Sequence, residues 1–306
     1  MEALLIKIYV VILVVMDSIA SQLAEKLLER NRVGVLLRVF AKTEADVEPQ
    51  IESALTALRK LQALQTGARK TFARIDFLVS SDPNFDDTDC GLTAEKLRES
   101  VRSEFSDIDI SVYEIKKGDI YAMLLNFGVA NHLEDRIPYS LIVSHWAHEH
   151  ITEANVHALF AAVQNKARVA GLVIPEAADT IRKGRIANTF AIWHNKSLVT
   201  VGGFDLRAGK PMQSEVTDDH IVTVGEATYN AAGVEEIIPL LRFTKYFGPS
   251  IKVVEASEST HTEQIEKFEA GWHTRHHAKF ATKDVRQNYM AKVAGFDLDQ
   301  ISEGLL

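Results

Sequence analysis

Residues 138–152 read Pro-Tyr-Ser-Leu-Ile-Val-Ser-His-Trp-Ala-His-Glu-His-Ile-Thr. Tyr139–Val143 is a short, β-rich apolar run of the kind that fills a buried parallel strand. It stops abruptly in a polar cluster, Ser144–His150. A helix is predicted next, with Thr152 as its N-cap and Val156, Leu159, Phe160 and Val163 at helical spacing. Ligands of open α/β sheets bind outside the carboxyl ends of the strands, where such a cluster belongs.

Working outward, the chain alternates strand and helix signals. Strands are expected at Val33–Phe40, Ile75–Val79, Ile108–Ile115, Arg168–Ile174 and Ile251–Glu255, with an extended or mixed segment at Ile186–His194. Helical spacing appears in Ile51–Leu64 (after a polar connection, Ala41–Glu48), Thr93–Phe105, Ile120–Leu133 and Lys196–Val201, and from Gly233 to about Tyr246. Leu206–Tyr229 reads as a long polar loop, the length of a functional lid. This order predicts an α/β fold whose largely parallel sheet has helices on both faces. Three regions follow: residues 1–32, an apolar segment and an amphipathic helix; residues 33–255, the α/β domain; and residues 256–306, a helical C-terminal extension.

The balance is that of an ordinary globular protein, with 46% hydrophobic and 25% charged residues among 306. A net charge of −8 excludes non-specific nucleic-acid binding as the expected role. The single cysteine, Cys90, excludes an intramolecular disulfide and a Cys-rich zinc site, and fits a cytoplasmic setting. Ala3–Met16 is almost wholly apolar but shorter than the ~20 residues a spanning helix needs, and no basic flank precedes it. It is expected to pack on protein, with contact to a membrane surface through residues 3–16 as the alternative.

Several groups could carry chemistry. His145, His148 and His150 lie within six residues, and imidazole suits zinc and its neighbours better than magnesium. The tail holds a further cluster, His273, His276 and His277. Trp146 is either a stacking surface or a half-buried core residue. Ser80, Ser81 and Asp82 can hydrogen-bond a base or ribose, or simply form the turn that Ser-Asp-Pro-Asn favours. Arg38 and Ser144 end two strands. Arg182, Lys183 and Arg185 read as a solvated basic loop, with phosphate contact the alternative.

Five stretches then recur in a telling order: Arg38-Val39-Phe40-Ala41-Lys42, Ser80-Ser81-Asp82, Leu125-Asn126-Phe127-Gly128, Trp193 to Asp205 (Trp-His-Asn-Lys-Ser-Leu-Val-Thr-Val-Gly-Gly-Phe-Asp), and Gly233-Val234-Glu235-Glu236. Together they resemble a glycosyltransferase of the GT-A fold, family-2-like, over Val33–Glu255. The resemblance implies transfer of a sugar from a nucleotide-diphosphate sugar to an acceptor hydroxyl, with inversion at the sugar carbon. It implies a nucleotide site at Arg38, Ser80, Ser81, Asp82 and Ser144, an acceptor site at Trp193, Gly203, Phe204 and Asp205, and a catalytic base at Glu236 or Glu235. It departs where the family carries Asp-x-Asp for a divalent Mn or Mg ion: here the strand ends in Ser144-His145-Trp146, and no aspartate follows until Asp179. A metal is therefore expected either by resemblance or, as zinc, at His145, His148, His150 and His277. Two rival expectations follow: a non-catalytic nucleotide-sugar or carbohydrate binder, and a histidine-site metal enzyme of other chemistry.

Overall fold

The computed structural model describes residues 33–41, 44–64, 72–81, 88–105, 109–115, 122–174, 178–209, 221–224, 227–230, 233–256 and 270–306. Residues 1–32, with the expected apolar segment and first helix within them, lie outside this set, and Val33–Leu306 forms one unit.

Among the described residues, seven strands form one mixed sheet in the order β3-β2-β1-β4-β6-β5-β9. They are β1 (Val33–Ala41), β2 (Arg74–Ser81), β3 (Ile110–Glu114), β4 (Tyr139–Ser144), β5 (Val169–Val173), β6 (Phe190–His194) and β9 (Ile251–Glu255). All neighbours pair in parallel except β6, which runs antiparallel to both β4 and β5. The connection lacks the usual crossover element. A parallel crossover needs a dozen or more residues that recross the sheet, usually as a helix. The only described helix between β5 and β6 is Ala178–Arg182 (α5), five residues long and so ~7.5 Å.

Helices cover both faces. Glu44–Ala63 (α1), Thr88–Glu104 (α2) and Glu153–Gln164 (α4) bury one face with Val35, Leu37, Val39, Phe77, Leu141 and Leu159. Ala122–Glu134 (α3), Asn195–Thr200 (α6), Ile237–Phe247 (α7) and the end of Ala270–Val293 (α8) bury the other, around Leu36, Leu78, Ile142, Trp193 and Phe243. Each such fully buried side chain contributes about 1.5–3 kcal/mol. Burial from both sides explains why β1 reads as a near-continuous apolar run. The C-terminal 3-10 turn, Leu298–Gly304, docks Leu298 and Ile301 into the second core, and Leu306 N–H donates to the Ile251 carbonyl at 2.9 Å.

Two expectations are corrected. Ala41–Glu48 is not a connection: α1 starts at Glu44, because Val47 and Ile51, four apart, are both buried, and Pro49 is accommodated inside the helix. The lid-like reading of Leu206–Tyr229 also fails in part. Leu206–Ala208 is a 3-10 turn, and Ile221–Val224 (β7) pairs antiparallel with Ala227–Asn230 (β8). The signal was there: two β-rich runs flank Gly225-Glu226, which suits a two-residue hairpin loop.

Alternation along the parallel strands sorts the second face into polar and apolar rows. Near the start of the strands, Gly34 lies opposite Ser140, and His132 from α3 covers them. Leu36 and Ile142 make an apolar row, and Arg38 beside Ser144 makes a polar row at the carboxyl ends. The lower polar row is a closed, solvent-free network. His132 Nδ1 is 2.7 Å from Ser140 Oγ, which donates to Asn195 Oδ1 at 2.7 Å, while Asn195 Nδ2 donates to the Ile137 carbonyl at 2.9 Å. Asp76 accepts from Arg74 Nε at 2.7 Å and faces His132 Nε2 at 3.4 Å.

Candidate functional site

The strand order passes from β1 outward to β2 and β3, then returns to β4 on the other side of β1. The gap between β1 and β4 is thus a topological switch point, where open α/β sheets bind ligands. Arg38 and Ser144 are register partners there. Arg38 Nη2 donates to Ser144 Oγ at 3.2 Å and to the Asn188 carbonyl at 3.1 Å, and Nη1 lies 3.6 Å from Glu235 Oε1. A strand-end arginine alone snorkels to water. This one keeps only 14% of its side chain exposed because three elements converge on it. Ser80, at the end of β2, is buried beside the same strand ends.

Glu235 and Glu236 arrive from the turn that opens α7. Both are buried, and Glu236 occupies the N-cap position without a side-chain cap bond, so its carboxyl does not serve the helix. Burial is the main force on Glu236, followed by the charge of Glu235. Together they push its carboxyl up to about 7, against the pull of Lys283 and Arg38. Glu235 is held by Arg38, and its neighbour holds a proton near neutrality. A buried carboxyl whose proton affinity is raised to near neutrality is suited to acid–base work.

The turn is anchored from below. Gly202 and Gly203 have φ of +95° and +72°, left-handed conformations open to glycine. Asn126 of α3 then clamps Phe204 from both sides of its amide, Nδ2 donating to the carbonyl and the Phe204 N–H donating to Oδ1, each at 2.8 Å. Asp205 accepts from the Arg207 backbone and guanidinium at 2.7–3.0 Å, and these bonds, with the Arg207 charge, hold its carboxyl below the usual range. Val234 N–H donates to the Ala208 carbonyl at 2.7 Å, joining this turn to the two glutamates.

The structure brings Arg38, Ser144, Glu235 and Glu236 together, with Ser80 at the adjacent strand end. It does not do so for every expected residue. Trp193 and Phe204 are fully buried and stack edge to face at 5.1 Å, so neither offers a surface to an acceptor. Because β6 runs antiparallel, Trp193 sits opposite Ser140, at the far end of the sheet from Arg38. Gly203 and Asp205 do lie in the turn that leads to the glutamates. The backbone of Ser81 ends β2, Asp82 lies outside the described residues, and so do the side chains of Ser81, Trp146, His273, His276 and His277. Arg182 ends α5 and pairs in solvent with Glu255 at 3.1 Å, whereas Arg185 keeps only 12% of its side chain exposed and pairs with Asp299 at 3.4 Å, so the solvated-loop reading fails for Arg185.

The histidine site is corrected as well. His145–His150 is a 3-10 turn packed on α1. His145 Nδ1 donates to the Arg38 carbonyl at 2.8 Å, and His148 Nδ1 donates to the His145 carbonyl at 3.0 Å. Burial lowers the basicity of His145, opposed by its bond to the Arg38 carbonyl and aided by the charge of the Arg38 guanidinium. Among the described residues, no three His, Cys, Asp or Glu side chains converge as a metal site. Three histidines within six residues are ligands only if the backbone converges them, and a tight turn splays them. Sequence reading missed Lys283 and Asn188, which carry no motif and reach the site from other elements.

No family model matches the chain, and no curated protein sequence matches it. Among solved structures, a similar fold is found in the mannosyltransferase PcManGT from Pyrobaculum calidifontis, in complex with GDP-Man and Mn2+. The similarity has a TM-score of 0.45 at 12% identity, over 86% of this chain and 75% of the other. No helix among the described residues is long and apolar enough to cross a membrane.

Proposed function

We propose that the protein is a glycosyltransferase of the GT-A type, moving a sugar from a nucleotide-diphosphate sugar to an acceptor hydroxyl with inversion. The observation that carries this reading is the cluster at the β1/β4 switch point, where Arg38 bridges Ser144 and Glu235 and Glu236 lies buried behind them. The five ordered sequence stretches support it, as does the single mixed sheet with its switch point in the same place. In this reading Ser80 and Ser144 help hold the nucleotide end of the donor. The acceptor enters beside Gly203 and Asp205.

Glu236 is the base. Its ionised carboxylate takes the acceptor hydroxyl proton as the oxygen attacks the sugar carbon. The bond from that carbon to the diphosphate oxygen breaks, and its electron pair leaves with the nucleoside diphosphate. Attack opposite the leaving group inverts the centre. The charge of Glu235, which pairs with Arg38, adds to the proton affinity of its neighbour.

The test is a turnover assay with UDP-, GDP-, ADP- and dTDP-sugars, each with added Mn2+ or Mg2+ and with EDTA. Nucleoside diphosphate release by the native protein, lost in Glu236→Gln, is expected. Equal release by both proteins would remove Glu236 from the mechanism, and no release from any donor would remove the transferase reading.

A further inference from the structure

The metal that the GT-A resemblance implies does not fit the residues present. A magnesium or manganese ion needs several hard oxygen donors, carboxylates foremost. The strand end that should supply them reads Ser144-His145-Trp146, with no carboxylate. Its one hydroxyl already accepts from a guanidinium, since Arg38 Nη2 lies 3.2 Å from Ser144 Oγ. The His145 ring is turned onto the Arg38 carbonyl at 2.8 Å. Glu235, the nearby carboxylate, lies 3.6 Å from the same guanidinium. A divalent cation placed on Ser144 would meet the Arg38 charge at contact distance.

A second cation approaches from α8. Arg286 donates from Nη2 to the Arg207 carbonyl at 2.6 Å, which seats this face of α8 against the turn leading to Glu235. Lys283 is one helical turn earlier on the same face. Thr282, Arg286 and Gln287 around it are buried, and Lys283 itself is half-buried. Its charge acts on Glu236 together with that of Arg38.

We propose that Arg38 and Lys283 take the place of the metal and neutralise the leaving diphosphate, so that this protein binds nucleoside diphosphates without a divalent ion. The inference rests on the transferase reading above and says how its donor is held. Guanidinium and ammonium groups donate charge-assisted hydrogen bonds to phosphate oxygens, and a cation fixed by the fold needs no recruitment during the reaction.

The test is binding of UDP, GDP, ADP and dTDP, and of inorganic pyrophosphate, to the full chain by calorimetry. Each is measured in EDTA and again with Mn2+ or Mg2+. The expected result is equal affinity under all conditions for the preferred nucleotide. Lys283→Gln should weaken binding by about tenfold, the weight of one charge-assisted contact, and weaken the matching monophosphate less. Lys283→Arg should restore it. Arg38→Met removes structural contacts as well, so the half-buried Lys283 carries the test. Binding that requires Mn2+ or Mg2+ and ignores Lys283→Gln overturns this inference and leaves the transferase reading standing. Failure of every diphosphate to bind, with or without metal, overturns both.

Discussion

The Arg38 guanidinium lies 3.6 Å from the Glu235 carboxylate, with 14% and 6% of the two side chains exposed. This contact ties the end of β1 to the start of α7, elements nearly two hundred residues apart in the chain. A pair this dry gains from mutual attraction only as long as both members are present. Removing one leaves a buried charge without its partner and costs about 3–5 kcal/mol, whereas replacing both costs less. Urea denaturation of Arg38→Met, Glu235→Gln and the double variant is therefore expected to be strongly non-additive. Additive losses would show that the two charges act independently.

Glu236 trades stability for chemistry. Its carboxyl titrates at about 7 in the folded protein and at about 4.3 in the unfolded chain. The fold thus binds a proton that the unfolded chain has released. The stability this group provides is complete below the unfolded value and declines as pH rises through about 7. Glu236→Gln keeps the shape and never ionises. Its melting temperature is expected to exceed that of the native protein at pH 8 and to match it near pH 4, while native turnover rises between pH 6 and 8 as the base form appears. The charged groups that act on Glu236 are Glu235, Lys283 and Arg38. A native protein whose melting temperature climbs relative to Glu236→Gln above pH 7 would contradict the assignment.

Gly203 and Asn126 form one device. A β-carbon at Gly203 would stand 2.6 Å from Asn126 Oδ1, on a backbone with φ of +72°. Gly203→Ala is therefore strained by both backbone and contact, at a cost of about 1–3 kcal/mol. Asn126→Ala strands the backbone N–H and carbonyl of Phe204 and should cost a similar amount. Both variants are expected to melt lower and to lose turnover more than stability, because the turn carries Asp205 toward the glutamates. Thermal melts with parallel donor assays check this; full activity in either variant would detach the turn from function.

The buried network at the opposite end of the sheet is predicted to matter for folding alone. Asp76 and His132 are fully buried, with Arg74 closing the charge balance. Asp76→Ala leaves Arg74 without its buried carboxylate, at a cost of about 3–5 kcal/mol. Gly34→Ala drives a β-carbon to 2.4 Å from the His132 ring, an overpacking cost of about 1–3 kcal/mol. Nucleotide affinity per folded molecule should be unchanged in any variant that still folds. A selective loss of affinity would show coupling across the apolar row of Leu36 and Ile142.

The order of strands and helices was legible because each element carries its own period. Val33–Phe40 and Tyr139–Val143 are apolar throughout, and Val156, Leu159 and Val163 mark one helix face. Thr152 caps α4 as read, its side chain accepting from the Asn155 N–H at 3.2 Å. Trp193 and Phe204 were misread as an acceptor surface because aromatic residues in a motif look alike whether they face a ligand or a core. The antiparallel strand of Trp193 and its ring contacts with Phe204 and Phe243 decide the matter. The three histidines were misread for a related reason: spacing in sequence sets which residues are near, and the local turn sets where the ring nitrogens point.

By itself, the sequence determined the elements, their α/β order and the strand end that carries Ser144, since hydrophobic period and capping act over a few residues. It also determined that β4 ends in Ser144-His145-Trp146 and not in Asp-x-Asp. Only the tertiary structure decided that Arg38 meets Ser144, Asn188 and Glu235, and that Glu236 lies in the dry space beside Lys283. Charge, burial and proton affinity at this site depend on groups brought from β1, β4, α7 and α8. No local pattern in any one of those stretches encodes that meeting.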